Sequence, residues 1–272
     1  MKYILHKLRV LRAVAFVTYK EWAAYRTHSM VSIFVGPVYF IVQYFIWTAV
    51  YGDSPSLNGI ELNSMMTYFG ANALIGYLTM DFADWNLQML VRTGKFLTFS
   101  LRPIHHRFFA FSQKCGHRVL GFAVEFIPCL LIFTLLFRVD MLPPSPLLAV
   151  LSVLLAFLMN FYVNYTIGMT AFWFTQASGI RQVFTLLTSV FSGALIPLVF
   201  FPQWVQRLLF FLPFQYVAYV PAMVCTGSYS LAGITLPLGE IVAIQAAAVV
   251  FCALLSEAVY KASMKRFTGV GA

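Results

Sequence analysis

Charge is scarce in this chain. Only 10% of its 272 residues are Asp, Glu, Lys or Arg, while 61% are hydrophobic; soluble domains carry roughly 25% charged residues. A water-soluble globule of this size cannot hide so much apolar surface. The composition therefore excludes a soluble enzyme and predicts an all-α protein lying almost wholly within a bilayer. It leaves little room for a soluble nucleotide-binding, nuclease or kinase domain.

Other absences narrow the chemistry. The chain has four cysteines, Cys115, Cys129, Cys225 and Cys252. None forms a C-x-x-C pair, so a thiolate metal site is not expected, and a thiol in an apolar span acts as a small hydrophobe. His105 and His106 are adjacent, with no further ligand cluster, and are expected to be solvated on a loop rather than to hold metal. No G-x-x-x-x-G-K-[ST] phosphate loop is present, so ATP binding by that route is excluded. G-x-S-x-G, H-E-x-x-H and a T-V-G-Y-G filter are also missing, which argues against an intramembrane hydrolase and a potassium-type channel. The first 28 residues lack the apolar run and A-x-A-like site of a cleaved signal peptide.

Six apolar spans are present, at about 30–51, 62–80, 116–137, 147–173, 180–200 and 238–261. The second, holding Asn63, Thr67 and Asn72, is the least apolar. Ahead of them, Ile4, Leu8, Leu11, Ala15, Thr18 and Trp22 recur at helical spacing, which predicts an amphipathic interfacial helix within 1–28. The net charge of +9 follows from how the basic residues are distributed. Six lie before the first span and six within 81–118; Arg181 and three tail residues fall on the same side. Only Arg138 and Arg207 lie opposite. By the positive-inside rule, both termini are cytoplasmic. That rule also explains the charge without invoking nucleic acid.

Asp81 to Arg118 forms the longest polar segment. Asp81 or Asp84 can cap a helix bearing Trp85, Leu87, Met89 and Leu90; Gly94 ends it, and Pro103 ends a second short element. This is a compact, basic and partly apolar unit, unlike a Gly/Ser tether. Its arginines also suit anionic lipid headgroups.

Ser192–Met223 is apolar yet broken by Pro197, Pro202, Pro213 and Pro221. As one helix it would reach about 48 Å, against a hydrocarbon core of about 30 Å. Two short helices are expected instead, entering the outer leaflet and returning as a re-entrant hairpin. Pro197, Pro202, Trp204, Pro213, Phe214 and Pro221 would form its external gate. Backbone groups freed at the breaks need protein or water to satisfy them.

Polar residues inside spans are candidates for a translocation path: Tyr39 and Gln43 in the first, Glu125 in the third, Asn160 and Asn164 in the fourth. Interhelical hydrogen bonding is the competing role for each. Arg118 lies seven residues from Glu125, about 10 Å along a regular helix, so a direct pair is not expected unless the helix bends at Pro128.

"GKFLTFSLRPI", Gly94–Ile104, and "SGALIPLVFFPQWVQRLLFFLPFQYVAYVP", Ser192–Pro221, together with the span count and N-terminal helix, resemble the membrane subunits of ABC-2-type transporters. The likeness is to the six-span branch once described as a domain of unknown function. Lys95 and Thr98 stand where that branch often carries acids. The resemblance implies a bacterial inner-membrane exporter permease, with no catalytic residue, metal or cofactor on this chain; the 17% of aromatic residues suits a path for an amphipathic or otherwise unidentified cargo. It implies two partner ABC ATP-binding subunits that carry ATP and Mg, a second identical or sister permease, and surrounding membrane lipid. Arg92, Gly94, Lys95, Leu101, Arg102 and Pro103 would couple to the ATPase. An ion-coupled secondary transporter is the alternative.

Overall fold

A computed structural model describes residues 2–24, 31–174 and 177–267. The expected start of the first span at Met30 and the last residues of the interfacial segment lie outside them. The architecture is helical, with two short antiparallel hairpins.

Helix α1 covers Lys2–Ala24 and α2 covers Val35–Tyr51. Strands β1 (Ser56–Leu57) and β2 (Ile60–Glu61) form the first hairpin. Asn58 and Gly59 turn it with positive φ at both positions, the conformation Asn-Gly favours in a two-residue loop. Helix α3, Leu62–Thr79, follows; α4, Ala83–Arg92, and α5, Lys95–Ser100, form the connecting unit. Helix α6, His106–Leu136, is long and apolar enough to cross a membrane, as is α7 together with its closing 3-10 turn, Pro146–Phe172. After α8, Ser178–Phe191, come α9, Gln203–Phe211, and α10, Tyr219–Thr226. Strands β3 (Ser230–Leu231) and β4 (Ile234–Thr235) make the second hairpin. Helix α11, Leu238–Arg266, is the third of membrane-crossing length and hydropathy; α2 is a shorter apolar helix.

Helix α3 shows why hydropathy ranks it low. Eleven of its eighteen residues are buried, including Met65, Phe69 and Ile75. A helix surrounded by protein does not need a lipid-facing surface, so it can carry Asn72 and two tyrosines. It packs on α2, α7 and α10 in the main core, with Phe40, Trp47, Phe133, Met159 and Tyr219.

Two features differ from the sequence reading. The helix expected over 180–200 stops at Phe191; Gly193 takes φ +87°, and Leu198–Phe200 is only a 3-10 turn. His106, expected to be solvated, is buried at the start of α6 and lies 3.0 Å from the Tyr165 hydroxyl. There it packs against Phe96 and Phe99.

Helix α6 also carries the response to Pro128. Proline lacks an N–H and crowds the preceding turn. The helix stays continuous by widening into π turns at Phe122–Phe126 and Ile132–Leu136 on either side.

Candidate functional site

The α4–α5 unit is held rigidly by its inner face. Leu87 and Phe96 are buried with Phe161, Tyr165 and Met169 of α7. At the entrance, the Ala83 N–H donates to Asp81 Oδ1 at 2.8 Å, so Asp81, just ahead of the N-cap position Phe82, satisfies the first free N–H of α4. Its other carboxylate oxygen lies 3.0 Å from Lys114 Nζ of α6, and both side chains are almost wholly buried. Asp84 accepts from Arg181 Nε of α8 at 2.6 Å. Burial pushes the Asp84 carboxyl above its usual range, and Arg181 pulls it back only in part. Gly168 lets α7 approach closely: a Cβ there would sit 2.9 Å from Asp84 Cα.

The outer face is open. Arg92, Lys95, Leu97, Leu101, Arg102 and Pro103 are exposed, and Leu101 is 81% accessible. Gly94 begins α5 with φ +72°, a left-handed turn that suits glycine. The Arg102 guanidinium lies 5.4 Å from the Phe99 ring centroid, which orients it across the surface. The six residues that the resemblance would assign to coupling thus lie on this unit and in the turn that follows it.

Helix α1 reaches this end of the bundle by docking on α6. A Cβ at Gly116 would lie 2.7 Å from Ala15 Cα, so only glycine admits the α1 backbone there. The Trp22 ring lies 4.1 Å from His117, tilted by 41°, and stacks on Phe82 at 6.0 Å. Part of the stripe assigned to the interface is therefore packed on protein: Thr18 is buried, while Ile4 and Leu8 remain exposed.

Each proposed path residue has an internal partner. Ser32 donates to Glu125 Oε1 at 2.6 Å. Arg118 lies 3.4 Å from Glu125 Oε2, a pair that a regular helix was not expected to allow and that forms where α6 widens beside Pro128. The π turn at 122–126 displaces Glu125 from its regular-helix position, and the long guanidinium arm covers the remaining rise. Arg118 also donates to the Tyr77 carbonyl. Asn160 Nδ2 donates to the Thr79 carbonyl at 2.7 Å, and Asn164 donates to Asn160 at 3.1 Å.

Tyr39 and Gln43 meet the break after α8. Tyr68 donates to the Gly193 carbonyl at 2.6 Å, Tyr39 to Ala194 and Gln43 to Leu195. Farther along, Gln206 donates to Val199 and Phe201, Gln215 to Phe210, and Gln245 to Tyr216. These side chains satisfy carbonyls freed from helical bonding, as a low-dielectric setting demands. Sequence reading missed Tyr68, Gln206, Gln215 and Gln245. Their signal was a glutamine or tyrosine within otherwise apolar sequence near proline-broken helices.

Among the gate residues, Pro197 and Pro221 are buried, whereas Pro202 and Trp204 are exposed. Pro213 opens a 3-10 turn between α9 and α10, and Phe214 packs near Phe184 and Phe191 of α8.

Long apolar helices and internally satisfied backbone breaks fit an all-α integral membrane protein. A family model described as ABC-2 family transporter protein matches residues 38–271, and the chain belongs to that family. It is thus a membrane component of an ABC transporter, and its family implies association with ABC ATP-binding subunits. A comparison with curated proteins gave no match.

Proposed function

We propose that this chain is the translocating subunit of an ATP-driven exporter in the bacterial inner membrane. Six spans cross the bilayer, α2, α3, α6, α7, the α8 segment and α11, with both termini cytoplasmic. ATP-binding subunits on separate chains carry ATP and Mg and dock on α4–α5. Their closure pushes this unit and changes the balance of inward and outward states, through differential binding of nucleotide to the two.

The carrying observation is the two-faced α4–α5 unit. Its inner face is bonded to α6 and α8 through Asp81 and Asp84, while its outer face leaves Leu97, Leu101, Arg92 and Arg102 open. A push on such a unit is transmitted to spans rather than absorbed by a loose loop. Helix α8 has no buried residue, which supports a second permease, identical or a sister, covering it and sharing a path for an amphipathic cargo. At the opposite end, α9 and α10 form the re-entrant hairpin that gates release.

The test is co-expression with ABC ATP-binding subunits of the same genome and purification of the complex. Changing Arg92, Gly94 and Arg102 together is expected to abolish co-purification while the permease still folds. Unchanged assembly and ATP-dependent transport would overturn the docking assignment. Transport driven by a proton or sodium gradient without ATP would favour the secondary-carrier reading.

A further inference from the structure

Next to the exposed face of α4–α5, which it meets at Pro103, a cavity of about 730 Å³ opens between α1, the Pro103–His105 turn, the first turn of α6, α7 and the last turns of α11. Its lining is mixed in chemistry. Basic and imidazole side chains, Lys7, His6, His105 and Arg107, line it together with the apolar Val10, Phe108, Phe111 and Phe161.

The charge balance favours an anion. Glu257 is the cavity's carboxylate. It is engaged by Arg107 Nη2 at 2.6 Å and by Lys261 at 3.5 Å. Lys7 adds a further cation, its Nζ 6.0 Å from the Phe108 ring centroid. Arg107 Nη1 is buried and has no hydrogen-bond partner, a costly state for a guanidinium nitrogen. Burial and the neighbouring Arg107 lower the pKa of His105, so the imidazole adds no competing requirement for a second carboxylate.

The surroundings favour a ligand with a tail. Beside the cavity, α1 exposes Ile4, Leu5 and Leu8, at 64%, 47% and 56%. A helix with this apolar face beside lysines and arginines lies at the boundary of headgroups and acyl chains. A soluble phosphate would engage the basic side chains and leave the phenylalanine rings uncovered.

We infer that this cavity is a binding site for an anionic phospholipid of the inner leaflet. Its phosphate lies between Lys7 and Arg107, and an acyl chain lies along Phe108, Phe111 and Phe161. Bound lipid would staple α1 to the ends of α6 and α11. The inference goes beyond the transport reading and reads lipid retention, so either can fail without the other.

The full-length protein, purified in detergent, is mixed with phosphatidylglycerol or phosphatidylcholine and examined by native mass spectrometry. Phosphatidylglycerol is expected to be retained at least about fivefold better, and Lys7→Gln to reduce its retention by about fivefold, as one basic side chain near an anionic headgroup contributes. Lys7 is exposed, so the variant folds. Lys20→Gln, farther along the same helix, is expected to leave retention unchanged. Equal retention of the two lipids, or equal effects of Lys7→Gln and Lys20→Gln, would overturn the site. Displacement of the lipid by an equal concentration of glycerol 3-phosphate would overturn the lipid assignment in favour of a soluble phosphate.

Discussion

Asp84 Oδ2 lies 2.6 Å from Arg181 Nε, and this contact ties α4 to the first turn of α8. It is the shortest polar route from the proposed docking unit to a span whose own surface is uncovered. Asp84→Asn removes the charge and keeps the shape. Removing a charged hydrogen bond of this kind costs about 2 kcal/mol, expected as a melting temperature lower by several degrees. ATP hydrolysis by the complex is expected to persist while transport falls at least about tenfold. Parallel loss of ATPase and transport would show that the contact serves assembly rather than transmission.

Gly116 is where α1 enters the bundle. Gly116→Ala drives a Cβ into the Ala15 backbone, and overpacking of this sort costs about 1–3 kcal/mol. Limited proteolysis is expected to cut α1 at Arg12 and Lys20 faster in the variant. Gly76→Ala is the control: it lies in a helix with nothing within 4 Å of the added Cβ. That variant is expected to match or exceed the parent in stability. Equal protease sensitivity in the two variants would contradict the docked α1.

The break at Gly193 depends on a tyrosine clamp. Tyr68→Phe leaves the Gly193 carbonyl without its donor, a loss of about 1–3 kcal/mol. Gly193→Ala meets both a left-handed φ of +87° and a Cβ contact 2.8 Å from the Tyr68 hydroxyl. Both variants are expected to increase maleimide labelling of a cysteine placed at Leu195. Labelling at the parental rate would mean that the break is held by something else.

Glu125 separates the two transport readings. Glu125→Gln retains an acceptor for Ser32, and ATP-driven transport is expected to stay within about twofold of the parent. Glu125→Ala leaves Arg118 buried without its carboxylate, a loss of about 3–5 kcal/mol, and is expected to reduce folded yield. A folded but inactive Glu125→Gln would assign the carboxylate a proton or cargo role and favour ion coupling.

Much of the helical layout was legible because a bilayer demands long apolar runs and punishes stray charge. Pro146–Phe172 and Leu238–Arg266 announce themselves by composition, as does the α4–α5 unit by Asp81, Gly94 and Pro103. Helix α3 was harder to rank, since a span wrapped in protein escapes the demand for lipophilic residues. The early end of α8 was hidden because Gly193 lies in a run of residues as greasy as the helix before it. The Arg118–Glu125 pair was misjudged because a regular rise per residue was assumed where α6 widens into a π turn. The Asn58-Gly59 hairpin signal was present but passed over inside a short loop. The hydrogen bonds of Tyr68, Gln206, Gln215 and Gln245 join positions distant in sequence or divided by helix breaks, and no local spacing encodes them.

The central claim is that ATP-binding subunits dock on the outer face of α4–α5. Photocrosslinking in assembled complexes tests it most directly, with a benzophenone amino acid placed at Leu97, at Leu101 or at Leu142. Leu142 is also highly exposed, at 85%, but lies in the α6–α7 connection, past the end of α6 opposite to the one that follows α5. Adducts with the ATP-binding subunit from Leu97 and Leu101, and none from Leu142, are the predicted result. Adducts absent from both docking positions in a complex that still hydrolyses ATP would contradict the account.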